Sequence, residues 1–542
     1  MPLGQGVDSC STLMINLSLK SRRFPQQAPA IHFLQIIAYP WRSELLLTDI
    51  VRLPRMMDRL DRRLPRSGQR GFILGVLTLA LAACTSLVPH GELPAPPVAQ
   101  RWPGDAQSGN AQGSVAAELH WRDYFAAPEL VALIDTALQN NRDLRLALLR
   151  VEEARAVHGI QRAGQFPSIG AGAQGARSRL PGDLNASGRS MVGSDYEVFV
   201  GLSNWELDLW GRVRSLKEAA LQEYLATEAA QRAARAALIA VVADAWLGLR
   251  ELDERVALAQ ESLATREEAW RIFRRRNEVG AASKLELTQV ETLLNHARAL
   301  TARLQQARAA QAHALTLLLG APTELASAAN TRLRDEDVFM PLRAGLPADL
   351  LTVRPDILAA ERRLAAARAN VQAARAAFFP RIALTGSLGS ASAQLDGLFA
   401  AGSRAWTFVP TLSLPIFDGG LRQANLDLAA VRSDMAVADY ERTIQLAFRE
   451  VADALSARQW LAQQVAIQRQ SLDTQMQRAR LAQLRYDHGA AAYLEVLDAQ
   501  RDLLEAQQQW VQVRRSLLSS HIALYTALGG GSEHVPVVTS IP

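Results

Sequence analysis

Several short motifs in the sequence resemble catalytic or ligand-binding signatures, but their contexts do not support that chemistry. Residues 170–175, GAGAQG, fit the G-x-G-x-x-G pattern that binds dinucleotide phosphates. That chemistry requires the glycines to connect a strand to the start of a helix, whereas here they lie inside a predicted strand. The chain has no Walker loop, H-E-x-x-H motif or nucleophile elbow, and its nine histidines are scattered. We therefore predict no catalytic residue, no metal site and no cofactor.

Cys84 carries the clearest signal for a covalent modification. It follows a largely apolar run of 13 residues, 71–83, and five arginines between positions 59 and 70 precede that run. A basic flank, a short apolar run and small residues before a cut site form a secretory signal, and a membrane span would need about 20 residues. Leu81-Ala82-Ala83-Cys84 resembles the bacterial lipobox. We predict that Cys84 is lipidated (for example by palmitate); the alternative is a buried structural cysteine.

The predicted signal peptide begins far from the first residue of the chain. Met56 and Met57 stand where such a leader would start. We therefore predict that residues 1–56 are a doubtful extension from a misassigned start and that residues 57–83 are the lipoprotein signal peptide. Residues 84–120 are rich in Pro and Gly, which predicts an extended tether between the lipid and the first folded element.

Composition excludes a nucleic-acid-binding domain and favours long helices. The net charge is +5, but residues 1–83 hold 11 basic and 5 acidic side chains, so the rest of the chain is close to neutral. The 542 residues exceed the length of about 250–300 at which single cores stop growing. The chain is 49% apolar but only 6% aromatic. This mixture favours long helices in close contact over an aromatic-filled core.

The two halves of the chain repeat the same order of elements. The segment 143–169 aligns with 356–382 at an offset of 213 residues, and Gly280 aligns with Gly489 at an offset of 209. The unit is too long for the small stacked repeats of solenoids. Each half is predicted to contain a helix, a β-hairpin, a very long helix, a turn and a long helix. The predicted boundaries are 121–335 for the first repeat, 336–528 for the second repeat and 529–542 for a C-terminal tail.

The very long helices are the strongest local prediction. Residues 421–488 contain no Gly or Pro, and residues 212–279 contain only Gly248. At 1.5 Å per residue each helix would be about 100 Å long. Apolar residues recur at steps of three and four. The predicted return helices are 283–319, after a turn at Gly280, and 492–528, after a turn at Gly489. On the helices alone, a pair of coiled-coil hairpins that acts as a spacer is an equally good hypothesis.

The predicted hairpins favour a membrane location. Strands at about 166–209 and about 380–416 show a period of two; Trp406, Phe408 and Leu412 share one side in the second. Strands of about ten residues suit a bilayer crossing. Four strands cannot close a barrel, and open edges are not tolerated in lipid, so several copies would have to pool their strands. The alternative is a small soluble sheet that caps a helical bundle.

Five motif regions, in order over residues 121–528, resemble those of TolC-like outer-membrane factors, especially the NodT-type branch of efflux-channel lipoproteins. They are NWELDLWGR at 204–212, RPDI at 354–357 with ARAAFFP at 374–380, LPIFDGG at 414–420, RYDHG at 485–489 and YLEVLDAQ at 493–500. The resemblance implies a mainly α chain with membrane β-strands. It also implies a homotrimer in which four strands per chain form one outer-membrane β-barrel, continued by a periplasmic α-helical barrel.

The same resemblance implies a passive exit channel of a tripartite efflux pump. The channel would be lipid-anchored in the bacterial outer membrane and would extend into the periplasm. The implied partners are a periplasmic adaptor (membrane fusion) protein, an inner-membrane proton-driven transporter of the resistance-nodulation-division (RND) type and outer-membrane lipids. The implied cargo is small toxic compounds such as drugs, dyes and solvents. Two alternatives remain: an exit duct for type I protein secretion, and a periplasmic coiled-coil lipoprotein scaffold without a pore.

The candidate functional residues lie near the two helix turns. Glu495 and Asp498 are three residues apart and therefore share a helix face. Repeated in a trimer, they would form carboxylate rings that favour cations, and the resemblance places acidic residues of this motif at the closed periplasmic entrance. The alternative is a solvated helix face on which Arg501 pairs with Asp498. The residues predicted to contact the adaptor at the tips are Gly280, Gly489, Arg276 and Arg485.

Overall fold

A computed structural model describes residues 114–116, 119–325, 338–343 and 350–532. The predictions for Cys84, the signal peptide and residues 1–56 lie outside these ranges. The helices are α1 (Trp121–Tyr124), α2 (Pro128–Asn140), α3 (Arg142–Ala163), α4 (Arg212–Glu278), α5 (Lys284–Leu319), α6 (Leu350–Val353), α7 (Pro355–Ala376), α8 (Leu421–Asp487) and α9 (Tyr493–Ala527). The strands are β1 (Ser114–Val115), β2 (Ile169–Leu180), β3 (Met191–Glu206), β4 (Leu342–Arg343), β5 (Arg381–Ser392) and β6 (Arg404–Ser413).

The two long helices, α4 and α8, contain 67 residues each, which corresponds to about 100 Å. Gly248 does not interrupt α4, although glycine weakens a helix interior. A Cβ atom at Gly248 would lie 3.0 Å from the side-chain nitrogen of Gln311 on α5, and that nitrogen donates a hydrogen bond to the carbonyl of Ala245. Gly248 therefore allows the return helix to approach α4 closely. No helix within the described ranges is long and apolar enough to cross a membrane.

The four longer strands form one antiparallel sheet in the order β2-β3-β5-β6. Their bounds differ from the sequence prediction at three strand ends. The first hairpin lies at 169–180 and 191–206 rather than spanning 166–209, and β6 ends at Ser413 rather than at 416. β6 ends at Ser413 because this residue pairs with Arg381, the first residue of its partner strand β5. The strands are 12, 16, 12 and 10 residues long, enough for a membrane crossing of about 9–11 residues.

The strand register places most of the large apolar side chains of the sheet on one face. Val200 pairs with Leu388 and Leu388 pairs with Trp406, so these three residues share the apolar face. On the opposite, polar face, the hydroxyl oxygens of Ser387 and Thr407 lie 2.7 Å apart. No other part of the described ranges covers the apolar face: the large side chains of β6 that project from it are exposed, namely Trp406 (72%), Phe408 (60%) and Leu412 (67%).

The main hydrophobic core lies where the short helices α1 and α2 pack on the long helices. The ring of Tyr124 in α1 stacks on Tyr525 in α9, with centroids 4.1 Å apart, and the Tyr124 hydroxyl donates to the carbonyl of His521 at 2.9 Å. Trp246 of α4 belongs to the same core. This core fixes the C-terminal end of α9 against the middle of α4. The pairing of β1 with β4 joins the segment before α1 to the connection between the halves.

In each half, the start of the helix beside the sheet (α3 or α7) meets the C-terminal end of the return helix (α5 or α9). At the start of α3, the Asn141 side chain donates to the carbonyl of Leu318 in α5 at 2.8 Å. At the start of α7, the Arg354 guanidinium donates to the carbonyl of Ala527 in α9 at 3.0 Å. Asn141 and Arg354 are 213 residues apart, the offset of the sequence repeat. These bonds satisfy carbonyl groups that a helix end leaves without partners.

The helices form a layer with two free edges. Beside the sheet, α3 packs on α4, α4 on α7 and α7 on α8. Towards the far end, α5 packs on α4, α4 on α9 and α9 on α8. Thus α8 lies at one edge along the whole layer, while α3 and α5 share the other edge.

Candidate functional site

The far end of the layer consists of two helix turns of the same design. The hairpin of α4 and α5 turns at Gly280 (φ 75°), and that of α8 and α9 turns at Gly489 (φ 69°). These values require the left-handed conformation, which glycine adopts at little cost. In both turns the third residue after the helix donates its N–H back to an arginine carbonyl: Ala281 to Arg276 at 2.7 Å and Ala490 to Arg485 at 2.8 Å. The four residues predicted for adaptor contact therefore occupy equivalent positions.

The starts of the two return helices differ in their capping. Ser283 caps α5 through a reciprocal pair of hydrogen bonds with Glu286, and the bond from the Ser283 backbone lowers the pKa of the Glu286 carboxyl. By contrast, Ala492 precedes α9 and provides no side-chain cap. A Ser or Thr cap contributes about 1 kcal/mol of helix stability. The turn at Gly489 is therefore less firmly fixed by local bonds than the turn at Gly280.

Arg276 connects the two hairpins within the chain. Its Nη1 donates to the Tyr486 hydroxyl at 2.8 Å, and its guanidinium carbon lies 5.3 Å from the ring centroid of Phe273. The Tyr493 ring lies 4.6 Å from Phe273 and 4.9 Å from Tyr486. Arg276 is half-buried in this aromatic cluster rather than fully exposed at the tip. Its guanidinium therefore holds α4 to α8.

Glu495 and Asp498 lie on the exposed surface of α9, and each is paired with an arginine. Glu495 accepts a hydrogen bond from Arg485 at 2.9 Å, and Asp498 lies 3.3 Å from Arg501 one helical turn later. The two carboxylates are 41% and 42% exposed. The pairing of Asp498 with Arg501 is the contact expected for a solvated helix face, whereas the pair of Glu495 with Arg485 joins α9 to α8.

A further ion pair lies next to these carboxylates. Asp502 of α9 accepts from Arg478 of α8 at 2.5 Å and also from Arg501. The hydrogen bond from Arg478 lowers the pKa of Asp502, so the carboxylate stays ionised well into the acid range. The Asp502–Arg478 pair and the Glu495–Arg485 pair thus join α8 to α9 near the turn at Gly489.

Some functional candidates became visible only in the structure. Phe273 and Tyr486 contact Arg276, and Tyr493 packs on both of their rings. The sequence signal was only that aromatic residues flank both turns. Asp253 was also missed. It is only 3% exposed, and its carboxylate accepts from Arg308 of α5 at 2.6 Å. An aspartate in a polar helix is typical of a solvated face, so its burial depends on how α5 packs on α4.

The fold and the tips define a class of protein. Two α-helical hairpins, each with one helix about 100 Å long, are attached to a four-stranded antiparallel sheet whose apolar face and edges no other described residues cover. This combination is that of an outer-membrane channel subunit.

The chain belongs to the family described as "Outer membrane efflux protein", whose model matches residues 133–321 and 346–530. It is 44% identical to the outer membrane protein OprJ of Pseudomonas aeruginosa over 84% of this chain and 95% of that protein. It is 45% identical to the solvent efflux pump outer membrane protein SrpC of Pseudomonas putida, over 84% and 96%. The chain is therefore a bacterial outer-membrane transport protein and not an enzyme.

A solved structure agrees with this assignment. The open state of the MtrE outer membrane channel of Neisseria gonorrhoeae superposes with a TM-score of 0.75 at 38% identity. The superposition covers 83% of this chain and 99% of MtrE. The fold is thus that of an outer-membrane channel over nearly the whole length of the known structure.

Proposed function

We propose that three copies of this chain form a passive exit channel, with one shared β-barrel in the outer membrane and an α-helical tunnel in the periplasm. The observation that carries this proposal is the four-stranded sheet with an exposed apolar face and two open edges. A lipid-exposed sheet must close because unpaired backbone groups have no hydrogen-bond partner in hydrocarbon. One chain has too few strands to do so.

The sheet topology supports closure between copies. β2 and β6 are the edge strands, and three antiparallel pairings separate them, so they run in opposite directions. Pairing β6 of one copy with β2 of the next therefore continues the antiparallel pattern. Two copies would give eight strands, a barrel whose interior is just filled by side chains. Three copies form the smallest ring that leaves a wide lumen.

The helical edges support the same ring. Beside the sheet, α3 exposes an apolar face at Leu149 (56%) and Ile160 (69%), and α8 exposes one at Val431 (57%) and Met435 (66%). Exposed apolar stripes on helices normally mark contacts with other helices. The two stripes lie on opposite edges of the layer, so they can pack together only between different copies.

The proposed pump context follows from the family and from the resemblance. SrpC is named a solvent efflux pump outer membrane protein, which supports small toxic compounds as the cargo of this channel. A proton-driven RND transporter in the inner membrane would supply the energy, and a periplasmic adaptor would join it to the helical tips around Gly280, Gly489, Arg276 and Arg485. Type I protein secretion and a scaffold without a pore are the competing functions.

Imaging of the detergent-extracted mature protein, beginning at Cys84, tests the assembly. We expect threefold tapered cylinders whose helical part is about 100 Å long. Monomeric or dimeric thin rods would contradict the channel and would favour the scaffold. The two channel functions are separated in a strain that lacks its own exit channel. The test is whether this chain restores export of dyes together with an RND pump or together with a type I secretion system.

We propose that the contact between Arg276 and Tyr486 helps to keep the periplasmic entrance closed. The change Tyr486→Phe removes the hydroxyl that accepts from Arg276 and keeps the ring packing. A hydrogen bond to a charged group contributes about 1.5–3 kcal/mol, less where it is half-exposed, so we expect about a fivefold rise in open probability. Single-channel recording in planar bilayers measures the open probability.

The control variant is Tyr440→Phe, far from the tips, which should leave the open probability unchanged. An equal rise in both variants would exclude a role of Arg276 in keeping the entrance closed.

We further propose the lipid anchor at Cys84 and the boundaries derived from the sequence: residues 57–83 as leader, 121–335 and 336–528 as repeats. Cys84→Ser is expected to abolish incorporation of radiolabelled palmitate. Labelling that persists in this variant would assign the lipid to another residue and exclude an anchor at Cys84.

A further inference from the structure

The acidic side chains of the sheet all lie on one face, whereas three of its four arginines lie on the other. Arg177, Arg179 and Arg404 lie on the apolar face, because Arg177 pairs with Ser194, Arg179 with Val192 and Arg404 with Ser390, in the same register that places Val200 and Leu388 there. Across the described strands this face carries no Asp or Glu. The acidic residues are all on the polar face: Asp195, Glu197 and Glu206.

Aromatic residues mark the depth at which these arginines lie. Trp406, 72% exposed, is the next residue of β6 on the same face as Arg404. Tyr196 pairs with Gly175, the residue that precedes Arg177 on the same face of β2. Trp and Tyr on the lipid face of a barrel form belts at the membrane–water interfaces. The arginines lie just beyond these aromatic residues, at the end of the sheet away from the helices.

We propose that Arg177, Arg179 and Arg404 form a binding site for a phosphate-bearing lipid of the outer leaflet. This inference rests on the proposed barrel, in which the apolar face contacts lipid and the helices lie in the periplasm. All three side chains are exposed, and in the described part of the chain no carboxylate pairs with them. A guanidinium binds phosphate with two parallel hydrogen bonds, which a lysine cannot match. The polar face differs: its Arg381 pairs with Glu206 at 2.9 Å.

The proposed closure makes this site a shared one. Arg404 begins β6 at one edge of the sheet, and Arg177 and Arg179 end β2 at the other edge. When β6 of one copy pairs with β2 of the next, the three arginines come from adjacent strands of two subunits. One lipid A head group, which carries two phosphates, can then contact both subunits and strengthen the junction.

Native mass spectrometry of the purified trimer tests the site, with diphosphoryl lipid A as the probe. We expect R177Q/R179Q/R404Q to bind lipid A at least about tenfold more weakly than the wild type, because the variant loses three charge-assisted contacts to phosphate. R177K/R179K/R404K should show a smaller loss because it keeps the charge but not the planar fork. The matched control D195N/E197Q changes two charges on the opposite face of the same sheet and should bind like the wild type.

The outcomes separate this inference from the proposed function. A wild-type protein that is not trimeric would already contradict the channel. A triple glutamine variant that remains trimeric and binds lipid A like the wild type would overturn the lipid site and leave the channel intact. Phosphatidylglycerol serves as the second probe: if only its binding depends on the arginines, the assignment to a lipid A phosphate is wrong.

Discussion

The double change Phe408→Arg and Leu412→Arg is expected to abolish assembly of the protein in the outer membrane. Both side chains project from the apolar face of β6 and are 60% and 67% exposed in the single chain. An arginine on the lipid face of a barrel costs about 2–4 kcal/mol near the bilayer midplane. A trimer would carry this cost at two positions in every subunit, which is comparable to the total stability of a typical domain. The measurement is the amount of trimer in isolated outer membranes.

The matched control places the same charge on the other face of the same strand. Thr407→Arg and Thr411→Arg lie on the polar face, which would line a water-filled lumen. We expect this variant to assemble normally, with altered conductance only. Normal membrane assembly of the Phe408/Leu412 variant would show that β6 faces water, and the barrel proposal would fail. Loss of both variants would indicate a strand that tolerates no arginine, which would also contradict the assignment of the two faces.

The double change Glu495→Gln and Asp498→Asn is expected to shift the ion selectivity of single channels from cations towards anions. In the structure Arg485 and Arg501 balance these carboxylates, so neutralising them removes two negative charges per subunit, leaves Arg485 without its carboxylate and leaves Arg501 paired with Asp502 alone. Rings of like charge select ions of the opposite sign. We expect the ratio of cation to anion permeability to fall about tenfold, which corresponds to 1.4 kcal/mol. Reversal potentials in a salt gradient measure this ratio.

The converse variant tests whether these charges line the periplasmic entrance. Arg485→Gln with Arg501→Gln removes the balancing charges and should raise cation selectivity. Asp473→Asn, on the exposed surface of α8 where the carboxylate pairs with Arg469, should leave selectivity unchanged. Unchanged selectivity in the Glu495/Asp498 variant would exclude these residues from the narrowest part of the conduction path and would leave them as part of a solvated helix face.

The sequence alone determined the helices and the existence of the hairpins. The long helices end within one residue of their predicted ranges, as in Arg212–Glu278 against 212–279. Periodicity and the positions of Gly and Pro carry that information locally, since a helix ends where the chain must adopt φ values that other residues avoid. The strand ends were less accurate, because a ladder ends where its partner strand does.

Only the tertiary structure decided which charges act together. The sequence placed Arg276 among the tip residues, but the structure shows it half-buried against Phe273 and Tyr486. Tyr486 lies on α8, 210 residues further along the chain, so local sequence could not indicate this contact. Likewise, the separation of Arg177, Arg179 and Arg404 from the carboxylates on the other face of the sheet required the register of all four strands, since a shift by one residue exchanges the faces. Local patterns specify elements, whereas contacts between distant segments specify the site.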